Sequence, residues 1–394
     1  DQPGALNSRG LARLHGGQPA AAIADFDAAL AAAPDYAQAL VNRAAALFEL
    51  DRLDAAIADC DRALALAPDH PDAHVSKAMF HLQAGDYGTG LPHYEWRRQA
   101  AQAAGHADLA QPLWLGAEDL LGKTLLVHAE QGLGDNLQFC RYALLAEARG
   151  ARVVLLVPRP LVALLRTLSP TIGVVADDVA AAPPFDLHCP MLSLPHAFGT
   201  TVDTIPARVP YLAPEPARVA AWRQRLPAGG LRIGIAWQGS FGKADAGRSF
   251  PLGLLHPLAL LPGVRLISLQ KGVGQAQLAD LPAGMSVHTL GPEFDAGPDA
   301  FLDTAAVMAS LDLVITCDTS VAHLAGALGR PTWVALKQVA DWRWLRGRAD
   351  SPWYPTMTLF RQPRRGDWAG VFDAMRQSLV RLLATAGQEG APDR

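Results

Sequence analysis

Cysteine is scarce in this chain. Its 4 residues, Cys60, Cys140, Cys189 and Cys317, form no C-x-x-C and no paired spacing. That argues against a disulfide framework or a structural zinc site and reads as free thiols in a reducing compartment. Charge of one sign is also lacking: 34 Lys and Arg stand against 38 Asp and Glu, for a formal net charge of -4. No basic field is available to hold a nucleic-acid backbone, so no nucleic-acid partner is expected. Long hydrophobic runs are missing too. The apolar stretches 124–129, 153–157 and 313–316 fall far short of the roughly 20 residues that span a membrane. No secretory leader is recognised in the sequence, and a cytoplasmic protein is expected.

The sequence does contain a repeat. Over the first hundred residues Ala5, Ala39 and Ala73 correspond, as do Leu14, Phe48 and Leu82, then Ala22, Ala56 and Gly90, then Phe26, Cys60 and Tyr94. Pro34 and Pro68 close two units at the same phase. Small residues where helices cross, a large one filling the gap and proline at the boundary describe stacked helical hairpins. The period is that of tetratricopeptide repeats, which these units resemble. A third unit is degenerate in its second helix.

Beyond residue 104 the pattern changes. Short apolar runs, "TLLVHA", "RVVLLV", "IGVVA" and "FDLHCP", alternate with helical stretches, and after a proline-rich passage from Pro206 to Pro216 a second series follows: "RIGIAWQ", "VRLISLQ", "MSVHTL", "DLVITCD" and "PTWVAL". Buried strands with intervening helices indicate parallel α/β sheets. The expected fold is therefore α/β with two facing Rossmann-like lobes, preceded by an all-α module. The expected boundaries are 1–102 for the repeats, 103–118 for a connector, 119–215 for the first lobe and 216–394 for the second. The last amphipathic stretch, with Val371, Met375, Leu379 and Leu382 at helical spacing, is expected to pack on the body.

Three loops carry residues suited to chemistry, because ligands of open α/β sheets bind at the carboxyl ends of strands. In "HAEQGLGD", Gly132 and Gly134 turn the chain into a helix near Asp135, with Glu130 at the strand end and His128 inside the strand pattern. It is not a G-x-G-x-x-G dinucleotide fingerprint. Asp135 suits either a helix cap or a chemical role. In "DLVITCDTSVAHLAGALGRP", Asp318, Thr319 and Ser320 open a helix whose positive end suits a diphosphate, and His323 stands one turn further in. In "GIAWQGSFGKADAGRSF", Gln238, Lys243 and Arg248 follow a strand, and Lys271 follows the next one. These cations suit phosphate, or they are solvated surface charges.

Together these loops resemble the bacterial heptosyltransferases, glycosyltransferase family nine, whose "GxGD" and "DSGxxHLAxAxGxP" stand here as "GLGD" at 132–135 and "DTSVAHLAGALGRP" at 318–331. The resemblance implies the GT-B fold, a nucleotide-sugar donor and no cofactor or metal. It puts Asp135 as base, with Glu130 as the alternative, Gly132 and Gly134 in the acceptor-side loop, and Asp318, Thr319, Ser320 and His323 at the donor diphosphate. The sequence departs from that motif at Thr319–Ala322, which puts an ADP-heptose donor in doubt. Repeats before such a core also resemble bacterial protein O-glycosyltransferases, including flagellin-modifying enzymes. The phrases "YEWR", "EQGLGD", "DWRWL" and "SPWYPTM" look like a bacterial group of that kind. This implies a protein or peptide acceptor, flagellin-like in that comparison, recruited by the repeats. Trp342, Arg343 and Trp344 are expected either to touch substrate or to anchor their loop. The D-x-D pairs Asp25–Asp27 and Asp59–Asp61 recur with the repeat and so are repeat features, not a metal site. Rival readings are a non-catalytic scaffold with the same fold and an enzyme like the lipopolysaccharide heptosyltransferases.

Overall fold

The computed structural model describes residues 2–102, 109–178, 183–239 and 247–389. Two compact units emerge. One gathers the chain up to residue 110 together with 195–205 and 339–347, and the other holds the rest.

The first unit is built from the repeats. Helices α1 (Pro3–His15) and α2 (Pro19–Ala32), α3 (Ala37–Glu49) and α4 (Leu53–Leu66), and α5 (Pro71–Ala84) and α6 (Tyr87–Tyr94) form three hairpins, followed by α7 (Arg97–Gln102). Ala22, Ala39, Ala56 and Ala73 are fully buried where helices cross, and Phe26 and Cys60 fill the gaps. Ala5 is exposed, at the outer end of the stack. The degenerate third unit is visible as α6, which has only 8 residues and Pro92 inside it. Gly90 is needed there, since a Cβ would lie 2.6 Å from Leu82.

The repeated D-x-D carboxylates are neutralised within the stack. Arg9 and Arg13 hold the buried Asp25. Arg43 reaches Asp27 and Asp59, both at 2.6 Å, and Lys77 reaches Asp61 at 2.6 Å. Arg9 and Arg13 thus act within their own hairpin, Lys77 reaches the preceding one, and Arg43 bridges its own and the preceding one.

The third hairpin receives the segment 339–347. Gln83 donates its amide to the Ala340 carbonyl at 2.6 Å. The Trp342 ring meets Tyr87 and Tyr94 edge-on at 5.8 and 6.1 Å. Arg346 pairs with Asp51 at 2.5 Å. Trp96 stacks on His74 at 3.9 Å, and Arg97 lies over Tyr94. The "YEWR" and "DWRWL" phrases therefore meet in one aromatic brace.

The second unit contains two parallel sheets. β1 (Thr124–His128), α8 (Leu133–Phe139), α9 (Tyr142–Ala148), β2 (Arg152–Val157), α10 (Val162–Leu165), β3 (Gly173–Ala176) and β4 (Leu187–Pro190) give the order β3-β2-β1-β4, and α11 (Leu194–Ala197) follows. After α12 (Pro216–Arg223) come β5 (Leu231–Ala236), α13 (His256–Ala259), β6 (Val264–Ser268), β7 (Val287–His288), α14 (Leu302–Met308), β8 (Leu313–Cys317), α15 (Ser320–Ala327), β9 (Thr332–Leu336), β10 (Met357–Arg361) and α16 (Trp368–Glu389). Their sheet runs β10-β9-β8-β5-β6-β7. β10 is not among the apolar runs that stand out in the sequence. Five residues between prolines and tryptophans gave too short an alternation to stand out.

Ile233, Ile235, Leu313 and Ile315 bury the second sheet against Val371, Phe372, Met375 and Leu379 of α16. Leu382, expected on this face, is 38% exposed, and Leu383 packs instead. The proline-rich passage is also ordered: Tyr211 and Leu212 donate their amides to the Ala327 carbonyl and so close the carboxyl end of α15.

Candidate functional site

The glycine loop begins where β1 ends. Glu130 accepts the Leu192 amide at 3.1 Å, which ties the strand end to the chain beyond β4. The positive φ of the turn belongs to Gln131, at 55°. Gly132 has an ordinary φ of -85° and precedes α8, and Asp135 accepts the Gly132 amide at 2.9 Å. The turn thus does not need glycine at 132. Gly134 is different. A Cβ there would stand 3.0 Å from His323 Cδ2 and 3.3 Å from Ser320 Cα. The first turn of α8 lies directly against the start of α15, so the two loops read separately from the sequence are adjacent. His128 pairs with His188 across the first sheet at 3.3 Å.

On the second sheet, β8 delivers Asp318, buried and 4.0 Å from the Arg248 guanidinium. Thr319 precedes α15 in extended conformation, and its hydroxyl makes no capping bond to the helix. It stands 3.4 Å from the Thr316 hydroxyl. The opening amides of α15 and the nearby hydroxyls of Thr319 and Ser320 present the positive end of a helix dipole. His323 follows, 6% exposed, with Nδ1 3.0 Å from the Tyr354 hydroxyl.

Arg248 follows β5, which is hydrogen-bonded to β8, and Lys271 follows β6, on the far side of β5. Lys271 donates to the Phe294 carbonyl at the mouth of a cavity of about 250 Å³ lined by Ser268, Gln270, Leu290 and Phe294. Gln238 is bound at its backbone by Gln270, which accepts the Trp237 and Gln238 amides and donates to the Gln238 carbonyl. Sequence reasoning missed Gln270. The "SLQKG" phrase drew attention to its lysine, but only the geometry shows that the glutamine fastens two strand ends. Lys243 lies outside the described residues.

Buried polar atoms without a hydrogen-bond partner occur around this junction: Asn136 Oδ1 and the whole Gln138 amide on α8, and Nε of Arg248. Gln138 is fully buried one turn beyond Gly134, on the same helix face. Such atoms are costly unless a water or ligand meets them.

Trp342, Arg343 and Trp344 lie in the interior of the repeat unit. They are 2%, 7% and 0% exposed and belong to the repeat unit. Arg343 is spent on Asp341, at 2.9 Å, and on the Trp342 ring. The Trp342 indole is covered by Tyr87 and Tyr94. Among the described residues no group of three or more His, Cys, Asp or Glu stands together as a metal site. No helix there is long and apolar enough to cross a membrane.

Residues 7–71 match the tetratricopeptide repeat family model. The chain is 32% identical over 387 residues to Protein FlbA of Caulobacter vibrioides, covering 92% of this chain and 64% of that protein. The chain thus spans just under two thirds of the length of this relative. Among solved structures, the Escherichia coli ADP-heptose lipopolysaccharide heptosyltransferase II aligns with a TM-score of 0.47 and 16% identity, over 68% of this chain and all of that one. The TPR2AB domain of yeast Sti1 in complex with pHSP90 aligns with a TM-score of 0.24 and 25% identity, over 26% of this chain and 39% of that one.

Proposed function

We propose that this protein is a glycosyltransferase that moves a sugar from a nucleotide-sugar donor to an acceptor hydroxyl, with the repeats recruiting a polypeptide acceptor. The observation that carries this reading is the contact of Gly134 with Ser320 and His323. It brings a carboxylate-bearing loop against a helix start suited to a diphosphate. The donor's diphosphate would take the amides and hydroxyls at Thr319 and Ser320, with Arg248 offsetting its charge. The cavity beside Lys271 has room for part of a nucleoside. Asp135 is the proposed base. Its carboxylate holds the Gly132 amide in the free protein, and acceptor binding would draw on the same oxygens. Glu130, fastened to the Leu192 amide, fits the role of orienting the acceptor.

The reading includes no metal: Arg248 and the helix start would meet the leaving diphosphate. Turnover in excess EDTA should match turnover without it, and a strict need for added Mg²⁺ or Mn²⁺ would overturn this part.

Nucleotide-sugar hydrolysis by the purified chain tests the whole. Asp135→Asn keeps size and much of the capping bond, and should lower turnover by about 100-fold or more with donor affinity nearly intact. If Asp135→Asn turns over normally and Glu130→Gln is inactive, the base moves to Glu130. The scaffold reading gains support from both carboxylates being occupied by backbone amides. It prevails if no nucleotide sugar is bound or hydrolysed.

A further inference from the structure

The phrase "SPWYPTM" found no role above. Its Trp353 and Tyr354 are fully buried. The Tyr354 ring lies under the Arg141 guanidinium, 4.5 Å from it. Arg141 is 2% exposed, and no carboxylate pairs with it among the described residues. Its donors go to the carbonyls of Gln138, Pro206 and Trp353 and to the Tyr211 hydroxyl. Tyr211 in turn gives its proton to the Leu137 carbonyl at 2.8 Å. On its other side Tyr354 fits against Gly326 of α15, where a Cβ would lie 2.3 Å from the ring. The phenol is therefore fixed, and its hydroxyl stands 3.0 Å from His323 Nδ1. The opposite edge of that imidazole, at Cδ2, abuts Gly134. Nε2 is bonded to Cδ2 and so lies on the glycine-loop side.

We propose that Tyr354 is a positioning residue for His323: its hydroxyl donates to Nδ1 and holds the imidazole as the neutral tautomer with the proton on Nε2, the nitrogen on the glycine-loop side. This rests on the transferase reading for its purpose, and on geometry alone for the tautomer. A cation over the phenol ring stabilises negative charge on its oxygen, which makes the hydroxyl a stronger donor than acceptor. In the transferase reading, a histidine fixed this way would aim an Nε2 donor at an oxyanion of the nucleotide sugar.

The first measurement uses the full chain labelled with ¹⁵N-histidine. Long-range ¹H–¹⁵N spectra at neutral pH, with His323→Gln to assign the signal, should show protonated Nε2 and bare Nδ1. Tyr354→Phe keeps the ring under Arg141 and against Gly326 and removes only the hydroxyl. It should shift the His323 signal toward a mixture of tautomers. A wild-type signal with the proton on Nδ1 overturns the proposal, as does an unchanged spectrum in Tyr354→Phe. The wild-type spectrum decides even if the variant does not fold. In turnover, Tyr354→Phe should raise KM for the nucleotide sugar roughly tenfold and alter kcat less. A fall in kcat alone, together with a lower Tm, would mark a merely structural tyrosine and overturn it. Failure of the wild-type chain to bind any nucleotide sugar would overturn the transferase reading and leave the tautomer result standing.

Discussion

At the scale of single residues, the two glycines of the "GLGD" loop are unequal. Gly132 has an ordinary φ, and a Cβ there would meet only the Asp135 carboxylate, at 3.3 Å. Gly134 has backbone and ring atoms of α15 against it. Gly132→Ala should therefore be nearly neutral, while Gly134→Ala should cost about 1–3 kcal/mol through overpacking and depress hydrolysis. Equal melting temperatures and activities for the two variants would show that the contact with α15 does not limit the site. The sequence supplied the motif, but not which glycine the fold needs, because that depends on a helix some 190 residues away in the chain. The same distance hid Tyr354 and Arg141. Nothing local to "SPWYPTM" or to "FCRYALL" says that a cation and a phenol share a cage. Asp135, Asp318, Thr319, Ser320 and His323, which the motifs singled out, lie at or within one turn of a strand-to-helix junction, where local pattern fixes position.

At the scale of elements, the repeats were readable because each hairpin restates the same small and large residues at the same phase. What the period could not show is how its polar positions pair. Arg43 joins Asp27 and Asp59 of neighbouring hairpins, and these carboxylates hold its charge above the ordinary arginine range. Arg43→Ala would leave Asp59 buried without its partner and should lower stability by about 1–3 kcal/mol, measured by urea denaturation. A second consequence depends on pH. His93 lies 2.6 Å from His74, nitrogen to nitrogen. Burial pushes it down to about 4, helped by Lys77, His74 and His81 and opposed by Asp61. The folded state therefore favours neutral His93. Its contribution is complete above the ordinary histidine pKa of about 6.5 and is lost as pH falls from there toward 4. Melting temperature should decline across that window. His93→Asn should flatten part of the decline, and an identical pH profile in the variant would contradict this.

At the scale of the whole molecule, the domain order read from the sequence was a simple series, whereas the repeat unit is completed by residues from after β9. The sequence leaves the tryptophans of "DWRWL" open between substrate contact and anchoring of their loop, because the rings that cover Trp342 lie some 250 residues earlier. Deleting residues 1–102 would strip Tyr87 and Tyr94 from Trp342, so the truncated chain should aggregate, and size-exclusion chromatography would show it. Trp342→Gln with Trp344→Gln should restore part of its solubility. A soluble, monomeric truncation without those changes would contradict the brace. In the intact chain, truncating Trp342 to Ala should cost about 3–5 kcal/mol. The brace also has a consequence in time. A ribosome releases the three hairpins first, but segment 339–347 follows only after more than two hundred further residues. At ordinary elongation rates that interval is roughly 10–50 s. Throughout it, the nascent third hairpin presents Tyr87 and Tyr94 without their indole partner. It is the part of the growing chain that a chaperone would find uncovered longest.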